Sequence, residues 1–418
     1  MNINLFIAKS LGAGGKDNLP GRRNSLIAGI SIAVSVVIMI IAISVSDGFG
    51  KEIRAKVSGF AGDISVKVPG EELTNSLYPL TLDNTTLKSL CDLSGVSAVQ
   101  GVAYVTGVMK HKDQIEGVML KGVDTSYDWS FVQNNLDKRV NGDTTFLPDL
   151  HNISADKIVI SSRLASKLGL SVGDRPFLYF IGESVKTRRY TVEAIFDARL
   201  EEIDKGLVLC KIENVRDILG WNQENYSSLE ILTKKGVNSE EKSAELQTIL
   251  DNSKADNYTD YEVVTSDLMF PHLFDWLSLL DFNVVIVLSL MMIVAGFNMI
   301  SGLLIILFEK ISMIGLLKSL GMRDREIHKI FLARALSIVI KGIIAGNIVA
   351  LVILYLQKWF RLIPLDPANY FVNHIPVHVD ILKLIAVDII SLLVITAILY
   401  IPSRFISKVE PDKSLRQK

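Results

Sequence analysis

Two cysteines, six histidines and eleven prolines in 418 residues leave little material for a disulfide scaffold, a metal centre or a proline-rich linker. Cys91 lies in the helix-like run 87–93 and Cys210 ends the apolar, strand-like run 207–210, so two buried free thiols are expected, although a disulfide is allowed. His374 and His378 are four apart, but Pro376 between them prevents the helix that would aim both rings at one metal. They are read as exposed loop histidines, and His111, His151, His272 and His328 are scattered. A P-loop is missing too: in Gly12-Ala13-Gly14-Gly15-Lys16 the hydroxyl position is taken by Asp17 and no strand precedes it, so the chain does not itself hydrolyse ATP in that way. Neither a Gly-x-Ser-x-Gly elbow nor a Cys/His pairing occurs. No catalytic residue, metal or cofactor is expected in this chain. A net charge of −1 gives no nucleic-acid footprint.

The chain does have long apolar runs, unevenly spaced. Residues 24–46 carry no charge, and at about 1.5 Å per residue a helix of that length crosses a hydrocarbon core of roughly 30 Å. Further long apolar runs, 279–308, 332–357 and 381–402, are interrupted only by Asp281, Arg334, Lys341, Lys383 and Asp388 among charged residues. The expected fold is therefore a membrane protein with four transmembrane α-helices and one large extracytoplasmic (periplasmic) domain, 47–278, between the first and second spans. Alternating segments at 63–68, 96–109, 117–123, 157–161, 190–196 and 206–210 read as strands, and 161–170 and 238–252 as helices, which makes the domain α+β. Asp47-Gly48-Phe49-Gly50 breaks the first apolar run, but 51–57 keeps helical character, so the helix is expected to continue past the span.

Charge at the span ends sets the orientation. Lys9, Lys16, Arg22 and Arg23 precede the first span, Lys310, Lys318, Arg323, Arg325 and Lys329 follow the second, and Arg404, Lys408, Lys413, Arg416 and Lys418 follow the fourth. Lys and Arg near span ends are held on the cytoplasmic side. Segments 1–23, 309–331 and 403–418 are thus expected in the cytoplasm, with both termini, while loop 358–380 is expected outside. The long first apolar run favours an uncleaved anchor over a signal peptide. Ile3, Phe6, Ile7 and Leu11 share a face that would lie on the inner leaflet. Inside the spans, Lys341, seven residues in from Arg334, is expected to snorkel to the cytoplasmic interface, and Asp388, near the other face, to meet water or a helix-end partner. A proton relay is the alternative; a direct Lys341–Asp388 pair is not expected.

Between the second and third spans, Ile311, Ile314 and Leu317 form an apolar face, flanked by Met313 and Leu320 and stopped by Gly321 in the position of a helix C-cap. Too short to span, this helix could enter a groove on a partner protein or rest on the membrane surface.

Residues 282–322, with AGFNMISGLLIILFEKISMIGLLKSLGM at their heart, resemble the second span and coupling segment of the FtsX/MacB-like ABC-transporter permeases, and among these most resemble the lipoprotein-releasing permeases of the Lol system. Ser44-Val45-Ser46-Asp47-Gly48-Phe49 resembles the family's exit from the first span, 117–124 its strand ending Gly-Val-Asp, and 160–174 its Ser-x-x-Leu-Ala…Leu-x-x-Gly-Asp segment. The tail from Tyr400-Ile401-Pro402 through Glu410-Pro411 to Arg416 resembles its ending.

The resemblance implies a permease subunit, not an enzyme, in the bacterial inner membrane. It would pair with a second copy or a paralogue and bind a separate ABC ATPase, which holds ATP and Mg. It would release lipoproteins from membrane lipids toward a periplasmic carrier. Coupling to the ATPase is carried over to Glu309, Lys310, Ile314, Gly315, Leu317, Lys318 and Gly321. The candidate substrate route is carried over to Val45, Asp47, Phe49, Leu279, Phe282 and Val285, for which ordinary span packing is the plain alternative. Two departures stand out: Met313 occupies a position where the family commonly has an acid, and the hairpin expected between 177 and 190 has a short tip at 182–186, which argues against direct carrier recruitment. Other outputs stay open: a MacB-like export or efflux permease, an FtsX-like regulator of a cell-wall hydrolase, or a membrane sensor without an ATPase.

Overall fold

The computed structural model describes residues 19–70, 78–82, 84–137, 150, 153–182, 184–198, 200, 205–253 and 260–403. The N-terminal face at 3–11, the glycine-rich 12–16 and the tail from 404 onward lie outside the described residues. In chain order the helices that matter are α1 (Leu19–Ala61), α2 (Asn84–Cys91), α3 (Ser162–Leu168), α4 (Ile212–Leu219), α5 (Ser239–Ser253), α6 (Pro271–Glu309), α7 (Ile311–Ser319), α8 (Asp324–Phe360) and α9 (Ile381–Ser403). The strands are β1 (Ile64–Lys67), β2 (Leu80–Thr81), β3 (Val96–His111), β4 (Gln114–Val123), β5 (Lys157–Ser161), β6 (Phe177–Ile181), β7 (Val185–Arg189), β8 (Thr191–Phe196), β9 (Leu207–Lys211), β10 (Asn225–Tyr226), β11 (Ser228–Thr233) and β12 (Glu262–Thr265). The chain divides into a helical unit (Met1–Lys51, Trp276–Pro364, His374–Lys418) and an α+β unit (Glu52–Asp275, Leu365–Asn373).

In the α+β unit a ten-stranded mixed sheet runs in the order β12-β1-β11-β3-β4-β9-β5-β8, with β6 paired to β3 and β7 paired to β6. The pairs β4–β9 and β5–β8 are parallel and the others antiparallel. Helices α3 and α4 close one core over this sheet, with Leu164, Leu168, Ile212 and Val215 fully covered among Leu120, Ile158, Ile160 and Val208. A second core joins Leu90 of α2 and Leu246 and Leu250 of α5 to Ile64, Val66, Leu229 and Ile231. Helix α3 starts where the Ser161 hydroxyl accepts the Leu164 N–H at 3.3 Å, and it ends at Gly169. The strands β2, β10, β11 and β12 were not expected, and the hairpin β6–β7 was expected from the family resemblance alone; β7 has no buried position and β12 one, which blurs the alternation. Cys210 is buried and Cys91 exposed, both free, so the expectation of two buried thiols holds for one only. Leu90 takes the inward position of α2 and turns its neighbour outward.

This unit also buries an ion pair. Lys121 on β4 lies 2.8 Å from Glu230 on β11, their side chains 0% and 3% exposed. The Tyr104 hydroxyl donates to Glu230 at 2.7 Å, Lys121 also donates to the Phe60 carbonyl, and the rings of Phe60 and Tyr127 stand 4.8 and 5.0 Å from the ammonium. Burial pushes the Lys121 ammonium down in pKa while Glu230 pulls it back up, and burial with Glu230 nearby holds the Tyr104 phenol well above its ordinary value.

The helical unit holds four helices long and apolar enough to cross a membrane: α1, α6, α8 and α9. Helix α6 starts at Pro271, eight residues before the apolar run, because proline suits a first helical position and Leu273 and Leu277 extend a buried face. Helix α1 passes through Asp47-Gly48-Phe49-Gly50 unbroken. Helices α1 and α8 meet at small residues: a Cβ on Gly342 would stand 2.9 Å from Ile32, and one on Gly346 2.8 Å from the Ala33 carbonyl. Backbones approach this closely only where side chains are absent. Around them Ile32, Val36, Met39, Met299, Phe331 and Val339 form the core.

Candidate functional site

At one end of the helical unit, α6 stops at Glu309 and the chain turns at Lys310 into α7. The Ile314 N–H donates to the Lys310 carbonyl at 3.0 Å. Helix α7 closes with two bonds, Gly321 N–H to Lys318 C=O at 3.0 Å and Met322 N–H to Leu317 C=O at 3.0 Å, and Gly321 has φ +88°. This is a Schellman cap, accompanied by the inward packing of Leu317 and Met322. The next helix begins at once: Lys318, 11% exposed, pairs with Asp324 at 2.9 Å, and Glu326 accepts the Arg323 N–H at 3.4 Å.

The two faces of α7 differ from the expectation. Ile314 is fully buried and Gly315 buried, and Ile314, Met313 and Leu317 pack on the core that contains Ile327 and Phe331. The stripe read as a docking face is the one that seats the helix on its own unit. What α7 leaves exposed is Leu316 at 52% and Leu320 at 76%, with Ser312, Ser319 and Gly321 beside them. Glu309 is exposed, and Lys310 half-buried. Sequence periodicity passed over Leu316, which stands outside the apolar stripe, and read Leu320 as a flank of the stripe, whereas it is exposed.

At the other end of the helical unit the substrate-route candidates split into two groups. Leu279, Phe282 and Val285 are 61%, 62% and 57% exposed and follow one face of α6, which continues through Ile286, Leu290, Ile293 and Phe297. Phe49 turns inward and meets Trp276 edge-to-face, centroids 5.7 Å apart; Val45 is half-buried. Asp47 joins neither group: its Oδ1 pairs with Lys383 of α9 at 2.5 Å, and its buried Oδ2 has no partner among the described residues. Ser46 donates to Asp281 at 2.6 Å.

The loop before α9 is clamped here: the His378 N–H donates to the Ser44 carbonyl at 3.0 Å, and the Pro376 carbonyl lies so near α1 that a Cβ on Gly48 would stand 2.3 Å from it. His378 reaches Lys51 with its ring nitrogen at 2.5 Å, and both loop histidines are half-buried, not exposed as expected. Among the described residues no group of His, Cys, Asp and Glu could hold a metal. Asp388, within α9, accepts from Asn347 of α8 at 2.9 and 3.1 Å, a polar contact between helices. In the α+β unit, the hairpin β6–β7 pairs Ile181 with Val185 beside its tip, leaving them 77% and 64% exposed.

Comparison with known proteins matches residues 25–249 to the MacB-like periplasmic core domain and residues 285–411 to the FtsX-like permease C-terminal region. The chain is similar to the lipoprotein-releasing system transmembrane protein LolC of Neisseria meningitidis, 25% identical over 412 residues, covering 93% of this chain and 92% of the relative. It is also similar to that of Xylella fastidiosa, 20% identical, covering 94% and 95%. Among solved structures, it resembles the extracellular domain of the ABC-type transporter YknZ from Gram-positive bacteria (17% identical, TM-score 0.33, 48% of this chain and 99% of that one). The periplasmic region of MacB from Actinobacillus actinomycetemcomitans is a further match (13% identical, TM-score 0.35, 52% and 95%).

Proposed function

Because the chain belongs to the FtsX- and MacB-like permeases of ABC transporters, we propose that it is the membrane subunit of a machine that releases lipoproteins from the inner membrane toward a periplasmic carrier, powered by a separate ATPase. One observation carries the reading: relatives named as lipoprotein-releasing match it across nearly its whole length, through spans and domain alike. The energetics are consistent, since drawing acyl chains into water costs about 0.8 kcal/mol per CH₂, and both an energy source and a sheltered apolar route are needed. The exposed stripe Leu279, Phe282, Val285 is that route, or the seat of a second permease. Both termini and α7 face the cytoplasm, with the α+β unit in the periplasm; the cluster Lys310, Lys318, Arg323, Arg325 and Lys329 supports this.

The ATPase meets α7 on the face that Leu316 and Leu320 leave open. Ile314, Gly315, Leu317, Lys318 and Gly321 hold the helix in place for that contact, with Glu309 and Lys310 at its entry. Although the tip of the β6–β7 hairpin is short, its exposed apolar pair Ile181 and Val185 is the point at which a carrier would dock.

The test is affinity capture of the full chain from detergent-solubilised native membranes, with mass spectrometry of what is retained. An ATPase with acylated lipoproteins is the expected result. A cell-wall hydrolase or an efflux adaptor in place of the lipoproteins would overturn the release reading, and absence of any ATPase would overturn the transporter. Leu316→Asp with Leu320→Asp should lose the ATPase while leaving the thermal unfolding of the chain unchanged, whereas Ile314→Asp should unfold the helical unit.

A further inference from the structure

Beside the close crossing of α1 and α8 lies a groove of about 310 Å³, contained in the helical unit and lined by Gly29, Ile30, Ala33, Arg334, Lys341 and Gly342 among others. Its walls are apolar or backbone apart from two cations and include no carboxylate. Arg334 is half-buried and Lys341 exposed, and neither forms a hydrogen bond or ion pair with any described residue. They lie seven residues apart, two turns of one helix and roughly 10 Å along its axis, so they face the same side. Two unpaired positive charges inside a spanning helix are costly in hydrocarbon, and such groups are found paired, snorkelling or facing a polar ligand.

We infer that this groove binds an anionic phospholipid, its phosphate between Arg334 and Lys341 and the start of one acyl chain laid along Ile30, Ala33 and Ala345. Charge complementarity selects the occupant: a basic pocket between spanning helices suits a phosphate-bearing headgroup, while an uncharged acylated chain would leave both cations unmatched. Ala33 and Ala345, neither of them buried, leave room for the chain beside the crossing, whose own gap at Gly342 is filled by Ile32. Exposed Leu26 and Ile30 flank the groove and extend the apolar wall. This site is separate from the α6 stripe assigned to the substrate route, and it does not depend on what the machine transports.

The experiment places the full-length chain in nanodiscs of mixed phosphatidylethanolamine and phosphatidylglycerol and counts, by native mass spectrometry, the lipids still bound after release from the disc. Phosphatidylglycerol should be retained in preference to phosphatidylethanolamine. Each near-surface cation contributes roughly five-fold to anionic-lipid affinity, so Arg334→Gln with Lys341→Gln should lower that retention roughly 30-fold. The exchange Arg334→Lys with Lys341→Arg should keep it. Ala345→Phe, which fills the groove and spares both charges, should also lower it. Equal retention of the two lipids, or unchanged retention in both the Gln pair and Ala345→Phe, would overturn the assignment. Competition by soluble glycerol phosphate would do the same, since a bare charge site needs no acyl chain.

Discussion

The two units solve burial in opposite directions. The α+β unit covers most of its apolar side chains and encloses a charge pair, Lys121 and Glu230, inside a shell of Phe60, Tyr104 and Tyr127. The helical unit turns large apolar side chains outward, Phe282 and Phe297 among them, and meets internally through glycine and short polar contacts such as Asn347 with Asp388. The solvent explains the difference. Water drives apolar area inward at about 25 cal/mol per Å², whereas lipid is as apolar as leucine and leaves close packing and hydrogen bonds to hold helices together. A continuous stripe of exposed large apolar residues, such as Leu279, Phe282, Val285 and Phe297, therefore signals lipid, a partner or a substrate in the helical unit.

Mutations in each unit would test that contrast. The largest effect is expected from Lys121→Ala, which strands a buried Glu230; breaking such a pair costs about 3–5 kcal/mol, to be read as the denaturant midpoint of the α+β unit. Adding Glu230→Leu to Lys121→Met should recover most of that loss. If Lys121→Ala alone cost under about 1 kcal/mol, the pair would not be organising this core. Next, Gly342→Leu should cost about 1–3 kcal/mol by forcing α1 and α8 apart, whereas Gly50→Ala, with nothing within 4 Å of the new Cβ, should stabilise by about 0.5–1 kcal/mol. Equal thermal shifts for the two would mean that close packing does not hold these helices. Asn347→Ala should cost only about 0.6 kcal/mol, the usual scale of a hydrogen bond between spanning helices. A loss several times larger would mark Asp388 as a group that cannot be left alone. Smallest of all, maleimide should label exposed Cys91 without shifting the unfolding temperature and should leave Cys210 unlabelled until the domain unfolds, because burial raises its thiol pKa.

Particular elements show how far the sequence was legible. Four apolar helices followed from run length, and β1, β3, β4, β5, β8 and β9 from alternation or short apolar runs, since a strand buried on one face records that fact locally. The hairpin β6–β7 and the edge strand β12 left weaker traces: β7, for example, has four exposed positions in five. The cap at Gly321 was visible because it needs only a residue tolerant of positive φ. The partner of Asp47 was not visible, because Lys383 lies 336 residues away and pairing at that range leaves no periodic trace.

By itself, then, the sequence determined four spans, the inserted α+β domain, the basic clusters at the span ends and the place of α7, all properties of composition and period along a short window. Only the tertiary structure decided which way each face points. An apolar stripe at 311, 314 and 317 says that something covers it, and folding supplied the cover from Ile327 and Phe331 of the same chain. That choice left Leu316 and Leu320 exposed, turned Arg334 and Lys341 into one groove, and enclosed Lys121 with a carboxylate 109 residues distant. Periodicity fixes which residues share a face, whereas the identity of what meets that face depends on contacts between segments that the chain brings together only on folding.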